Sequence, residues 1–223
     1  MQNKLGLYVH YPFCKKKCPY CDFNSHVRNN PINVDEYVDA YIRDLKTDAG
    51  RINKQPLTSI FFGGGTPSLM DAKLVEKIID TANEIFGFTN DIEITLEANP
   101  TSVESKKFND FKTAGINRVS LGVQSLNDDD LKYLGREHSA SEALEAVEIA
   151  KSIFDRWSFD MIYARPNQTI SQWEAELKKA VEYIGGHISL YQLTIEHGTD
   201  FKRKFDRGEI IMPSDDLSAD MYN

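Results

Sequence analysis

The chain has 223 residues, with 26 basic and 34 acidic side chains and a net charge of −8. This length suits one large domain, and the acidic balance, with a single dense basic cluster at Lys15–Lys17, argues against a nucleic-acid-binding face. The sequence has no apolar run of about 18 residues and no hydrophobic leader with a small-residue cleavage site. We therefore predict a cytoplasmic protein without a membrane span, whose partner is a small molecule or another protein.

Strand-like runs alternate with helical segments along the chain. The predicted strands are Leu5–Tyr11, Ser59–Phe62, Ile92–Glu97, Arg118–Val123, Ser158–Tyr163 and His187–Leu193. The predicted helices are Val34–Arg51, Ala72–Phe86, Glu104–Ala114, Ser139–Phe154 and Gln172–Ile184. Because no hairpin signals join the strands, we expect them to run parallel, with the helices as crossovers.

The predicted strands have one apolar face and one polar face. In the third strand, Ile94 and Leu96 share one face, whereas Thr95 and Glu97 share the other. A doubly wound sheet buries both faces and favours continuous apolar runs. The pattern favours an α/β barrel, closed or open, with helices outside and a polar interior around a ligand. An α+β sheet with one solvated face is the alternative.

All three cysteines lie in the stretch HYPFCKKKCPYCDF, directly after the first predicted strand. Cys14, Cys18 and Cys21 are spaced C-x3-C-x2-C on a loop that would lie at the C-terminal mouth of a barrel. Three thiolates would leave one iron of a [4Fe-4S] cluster without a protein thiolate, so that another ligand could bind there. Zinc held by three cysteines and His10 or His26 is the alternative, although no second cysteine pair follows.

Further motifs follow in order: GGGTPS, LEANP, LGVQSLN, LGREH, FDMIYARPNQT and LYQLTIEHGT. With the cysteine stretch, they resemble the radical S-adenosylmethionine (SAM) superfamily, in the branch of oxygen-independent coproporphyrinogen III oxidases and related haem chaperones. The resemblance runs from Tyr8 to about Gly198. It implies a partial (β/α)6 barrel with parallel strands inside. Residues 1–200 would be the radical SAM core, and residues 201–223 the start of a truncated C-terminal region.

The resemblance also implies the cofactors. A [4Fe-4S] cluster would be bound by Cys14, Cys18 and Cys21, and SAM would chelate the open iron through its amino and carboxylate groups. The residues that match a first SAM site are Tyr8, Gly64 and Glu97. The residues that match a second SAM site are Tyr20, Gly65, Thr66, Gln124, Arg136 and Asp160. Several of these residues lie on the polar strand faces predicted from alternation alone.

The position of Phe23 separates the two functions found in this branch. The coproporphyrinogen oxidases carry a fourth cysteine there, two residues after the third, whereas CDFNSH, GVQS and YQLTIE resemble the haem chaperones. The implied function is therefore the binding of haem and its transfer to an acceptor protein, with oxidative decarboxylation of coproporphyrinogen as the alternative. The chain departs from the haem chaperones in reaching Asn223 before any His-Asn-x-x-Tyr-Trp motif, and in reading YARPNQT where YGLPGQT is commoner.

Overall fold

The computed structural model describes residues 4–30 and 32–223. Its strands are β1 (Leu5–Tyr11), β2 (Phe13–Cys14), β3 (His26–Val27), β4 (Leu57–Gly64), β5 (Phe88–Ala98), β6 (Arg118–Gln124), β7 (Arg156–Tyr163) and β8 (Ser189–Gln192). Its α-helices are α1 (Val34–Ala49), α2 (Ala72–Phe86), α3 (Ser102–Ser105), α4 (Phe108–Thr113), α5 (Asp128–Tyr133), α6 (Ala140–Ile153), α7 (Ile170–Val181), α8 (Asp200–Asp206) and α9 (Asp215–Tyr222). A 3-10 turn spans Pro67–Leu69.

Six strands form one parallel sheet in the order β1-β4-β5-β6-β7-β8. Neighbours in the sheet follow one another along the chain, and the sheet curls into a half-barrel with helices around it. Among the described residues, β1 and β8 are the edges and do not pair with each other. The predicted partial (β/α)6 barrel is confirmed, and the α+β alternative is wrong. A second, two-stranded parallel ladder joins β2 to β3.

The two faces of the sheet differ as the alternation predicts. Leu96, Val119 and Met161 are fully buried and belong to the main hydrophobic core. The side chains between them along the strands, including Glu97 and Asp160, line an internal cavity. Burial of the apolar face under the helices stabilises the barrel and leaves the polar face for a site.

Most of the predicted helices are confirmed, and α2 has the predicted bounds. Asp71 caps its start by accepting a hydrogen bond from Lys73 N, and Gly87, at φ 71°, follows its end. The single helix predicted over Glu104–Ala114 is wrong, because the chain breaks into α3 and α4. The Glu104 side chain points inwards, where its carboxylate accepts hydrogen bonds from the Ser68 hydroxyl and the Asn99 backbone N–H.

The last elements pack back on the barrel. Phe201 of α8 is fully buried in a second apolar cluster with Leu134, Ile162, Leu193 and Ile210. Trp173 of α7 donates its indole N–H to the carbonyl of Met221 in α9, at 3.0 Å. In residues 4–30 and 32–223, no helix has the length and apolar character needed to cross a bilayer.

Candidate functional site

The cysteine loop leaves the C-terminal end of β1 and is closed by the β2–β3 ladder. Phe13 pairs with His26, and Arg28 N donates to the Cys14 carbonyl at 3.0 Å. His10 supports the same loop, because its Nε2 donates to the Asn24 carbonyl at 2.9 Å. Its Nδ1 must then accept from the Tyr8 hydroxyl at 3.1 Å. Both ring nitrogens of His10 therefore have protein partners, which disfavours its use as a zinc ligand.

The glycine-rich turn after β4 packs against the backbone of the cysteine loop. Gly65 N donates to the Tyr11 carbonyl at 2.6 Å, and Thr66 N donates to the Phe13 carbonyl at 2.9 Å. A Cβ on Gly65 would lie 2.7 Å from the Phe13 carbonyl oxygen. Gly64 has φ 113°, which glycine adopts at little cost. These glycines are thus required for close contact between two loops of the site.

Arg136 holds the cysteine loop from the opposite side. Its guanidinium donates to Asn99 Oδ1 at 2.6 Å, to the Gly122 carbonyl at 2.9 Å and to Cys18 Sγ at 3.4 Å. Burial lowers the pKa of Arg136, but the neighbouring Tyr20 and Cys18 outweigh it, so the pKa is raised overall. Arg136 therefore places a positive charge beside the Cys18 sulfur.

The cysteine loop, the glycine turn and the strand ends enclose a cavity of about 470 Å³. The cavity has a volume typical of small-molecule sites. The residues of the predicted set that line it are Cys14, Cys18, Tyr20, Cys21, Gly64, Gly65, Thr66, Glu97, Gln124, Arg136 and Asp160. Tyr8 does not line it. Its ring stacks on Phe61, with centroids 6.3 Å apart. The structure thus brings the set together, while the ligand role of each residue remains a prediction.

Glu97 and Asp160 form an acidic pair on the inner face of the barrel. Burial, and then the charge of Asp160, raise the pKa of Glu97 to about 7, although a backbone hydrogen bond from Gly64 opposes them. Burial also raises the pKa of Asp160, against hydrogen bonds from Ser189 and Ser120. The Ser120 hydroxyl lies 3.3 Å from Asp160 Oδ1. A cationic ligand in the cavity would favour the ionised form of both carboxyl groups.

Gln124 ends β6 in an unusual conformation. Its φ is 71°, in the left-handed region that L residues adopt at a cost of about 1–3 kcal/mol. Within the described residues, its buried Oε1 has no hydrogen-bond partner, and neither does the buried Ser25 Oγ, which also lines the cavity. Buried polar atoms are usually paired, so a bound water or another polar group would complete the hydrogen bonds that these two oxygens lack.

The three thiols have different exposure. None is in a disulfide. Cys14 is buried, whereas Cys18 and Cys21 are half-buried, and burial raises the pKa of Cys21. In the part of the chain that the structure describes, no group of three or more His, Cys, Asp or Glu side chains is arranged to hold a single metal ion. The thiols border one cavity without meeting at a point.

Several cavity residues escaped the sequence interpretation. Asn99, Ser120, His138 and Tyr191 all line the cavity. Asn99 is the fourth residue of the LEANP motif and Ser120 lies on the polar face of β6, so the sequence already marked both positions. No strand pattern in the sequence marks His138 as a cavity residue. Burial, and then the charge of Arg136, lower its pKa to about 4, so it is neutral and donates from Nε2 to the Val123 carbonyl at 3.0 Å.

Residues 8–180 match the sequence model of the Radical SAM superfamily. The chain belongs to the radical SAM superfamily. This radical SAM protein is 43% identical, over 98% of its length, to the haem chaperone HemW of Haemophilus influenzae, and it covers 57% of that relative. It is 38% identical over 98% of its length to HemW of Escherichia coli, again covering 57% of that protein.

A further relative and a solved structure also match the chain over nearly its whole length. The chain is 39% identical over 97% of its length to the mitochondrial radical S-adenosyl methionine domain-containing protein 1 of Danio rerio, of which it covers 49%. Among solved structures, coproporphyrinogen III oxidase (HemN) of Escherichia coli superposes with a TM-score of 0.82 at 27% identity, over 98% of this chain and 50% of that one. The chain thus spans about half the length of the proteins that it matches.

Proposed function

We propose that this chain is the radical SAM portion of a haem chaperone of the HemW type. In this proposal, Cys14, Cys18 and Cys21 hold a [4Fe-4S] cluster. SAM binds the iron that lacks a protein thiolate, and haem is bound and passed to an acceptor protein. Residues 1–200 would be the core and residues 201–223 the start of a further region. The proposal also keeps the predicted cytoplasmic location, where thiols stay reduced.

The observation that carries the proposal is the shared cavity of the three cysteines and the predicted SAM residues. The cysteine loop forms one wall, and the inner faces of β5, β6 and β7 supply Glu97, Gln124 and Asp160 to the others. With the positive charge of its sulfonium, SAM suits a cavity that contains two carboxyl groups. Two SAM molecules, as the resemblance implies, would need to share this cavity and its opening.

The residue at the position of the oxidases' fourth cysteine supports a chaperone over an oxidase. The side chain of Phe23 is 61% exposed and borders the cavity mouth, so no fourth thiol is available at this position. The names of the relatives at 38–43% identity support the same choice. Oxidation of coproporphyrinogen is the second candidate function, because the fold superposes on that enzyme with a TM-score of 0.82.

Anaerobic reconstitution with iron and sulfide tests the metal centre. We expect about four irons per chain and a broad thiolate-to-iron absorption band, both lost when the three cysteines are changed to alanine. Calorimetry on the reconstituted protein should then show SAM binding. Stoichiometric zinc without iron uptake would contradict the cluster, and a filled cluster that does not bind SAM would contradict the second part of the proposal.

Separate measurements distinguish the two functions. We expect the reconstituted chain, or the longer protein of which it is a part, to bind haem in an absorption titration and to transfer it to apo-acceptor proteins. With SAM, a reductant and coproporphyrinogen, we expect no protoporphyrinogen above background. Sustained product formation would establish the oxidase instead.

A further inference from the structure

A buried ion-pair network lies directly behind the cavity wall that contains Gln124. The Arg165 side chain is 3% exposed. Its Nη2 lies 2.5 Å from Glu176 Oε2 and 3.0 Å from Asp130 Oδ2, and its Nη1 donates to the Ile162 carbonyl at 2.7 Å. Neither Arg165 nor Glu176 borders the cavity. These charges therefore act on a ligand only through other residues.

The other oxygen of Glu176 binds the chain immediately after Gln124. Glu176 Oε1 accepts from the Ser125 hydroxyl at 2.6 Å and from Leu126 N at 2.6 Å. Hydrogen bonds to a charged acceptor are among the strongest in proteins. Glu176 thus fixes both residues that follow the left-handed Gln124, while Arg165 fixes Glu176.

We propose that Arg165 and Glu176 are positioning residues that hold the Gln124 amide towards SAM. The inference rests on the proposed function, since it requires SAM in the cavity. A left-handed, non-glycine residue persists only where its surroundings impose that conformation, and the clamp on Ser125 and Leu126 imposes it here. Gln124 itself lines the cavity, and its buried Oε1 has no hydrogen-bond partner among the described residues.

Stability alone gives a poor account of this network. A buried ion pair contributes little net stability, and apolar residues of similar volume often replace such pairs without loss. A buried arginine that fixes a carboxylate, which in turn fixes the neighbours of Gln124, has a clear geometric role.

A double-mutant cycle on the reconstituted chain tests the inference. Calorimetry would give the Kd for SAM, and iron content would verify the cluster. We expect Gln124→Ala and Glu176→Ala each to weaken SAM binding about tenfold with the iron content unchanged. Because Glu176 acts through Gln124, the double variant should bind no more weakly than Gln124→Ala alone. Glu209→Ala, which removes an exposed ion pair with Arg207, is the control and should leave Kd unchanged.

If Glu176→Ala fails to fold, the paired change Arg165→Leu with Glu176→Leu removes the clamp and leaves only Asp130, which is 36% exposed, without its partner. It should fold and still weaken SAM binding about tenfold. A variant without the clamp that binds SAM like the unchanged chain, or a double variant with additive losses, would overturn the inference alone. An unchanged chain that holds its cluster but does not bind SAM would overturn the proposed function as well.

Discussion

The fold strongly alters the ionisation of the Glu97 carboxyl group. It lies on the inner face of β5, where burial and then the charge of Asp160 raise its pKa from 4.5 to about 7. The folded chain therefore holds this proton more tightly than the unfolded chain does. The stabilisation from this tighter binding is complete below pH 4.5 and is lost as the pH rises through about 7.

Glu97→Gln should remove this pH dependence. The pKa shift corresponds to at most about 3 kcal/mol, so we expect the variant to be more stable than the unchanged chain at pH 8, by up to that amount. At pH 5 the folded Glu97 is protonated, and the two proteins should have similar stability. Urea unfolding at both pH values measures the difference. Glu84→Gln, at an exposed position of α2, is the control. An equal effect at both pH values would contradict the prediction.

At the scale of elements, the site depends on three segments that hold the cysteine loop. The turn after β4 binds it through Gly65 and Thr66, and the β2–β3 ladder closes its base. The chain after α5 meets it at Gly135, whose Cβ, if present, would lie 2.6 Å from Pro19 Cδ. The loop is therefore placed by backbone contacts that any added side-chain atom would disturb.

Gly65→Ala should lower cluster incorporation. The new methyl group would meet three backbone atoms of Phe13 at 2.7–2.9 Å, which cannot move aside as a side chain can. We expect a loss of about 1–3 kcal/mol in the free energy of unfolding. Iron per chain after reconstitution should fall below that of the unchanged protein.

Gly50→Ala is the matched control for this change. Gly50 follows α1 with φ −74°, and a Cβ there would have an ordinary nearest contact of 3.4 Å. We expect normal iron content and nearly unchanged stability. Equal iron content in the Gly65 and Gly50 variants would show that the contact with Phe13 does not place the cysteines.

At the scale of the whole molecule, residues near the end of the chain contact the loop near its start. Phe201 of α8 is fully buried, and its ring lies 5.1 Å from that of Tyr133 and 6.2 Å from that of Tyr20. Its backbone N–H donates to the Pro19 carbonyl at 2.9 Å. The second apolar cluster therefore joins α8 to the cysteine loop across most of the sequence.

Phe201→Ala should destabilise the protein by about 3–5 kcal/mol, because it leaves a cavity in this cluster. Chemical denaturation measures the loss, and hydrogen exchange should show weaker protection around Tyr20. Phe205→Ala is the control, since that side chain lies on the same helix and is 43% exposed. Similar losses for the two variants would contradict a special role for the Phe201 contact.

Much of the fold follows from local patterns. The alternation in β5, β6 and β7 predicts an apolar outer face and a polar cavity, and Asp71 and Gly87 mark both ends of α2. Short helices such as α5 fall below the length at which periodicity is visible, although Asn127 before three aspartates was a capping signal. Glu104, near the end of α3, is buried and bound by the Ser68 hydroxyl, a contact that local sequence patterns do not reveal.

The sequence predicts those parts of the site that depend on residue type. It does not predict those that depend on backbone conformation. The cysteine spacing and the polar strand faces point to the cavity residues before any coordinates are known. The left-handed conformation of Gln124 and the clamp by Glu176 depend on contacts between residues about 50 positions apart in the chain. Ala164 and Asn167 also have positive φ, at 55° and 61°. Both stand where the motif YGLPGQT has glycine, so this chain keeps a glycine-like backbone at the two positions.

The hydrogen bond from Arg136 to Cys18 has a consequence for electron transfer. A reduced iron-sulfur cluster is more negative than an oxidised one, and N–H donors to its sulfur ligands stabilise the added electron. With a cluster bound as proposed, Arg136 would therefore raise its reduction potential. Arg136 is itself anchored by Asn99, which is held by Glu104 and, through it, by Ser68. With that cluster in place, its ease of reduction would depend on a chain of polar contacts that runs from Arg136 through Asn99 and Glu104 to Ser68.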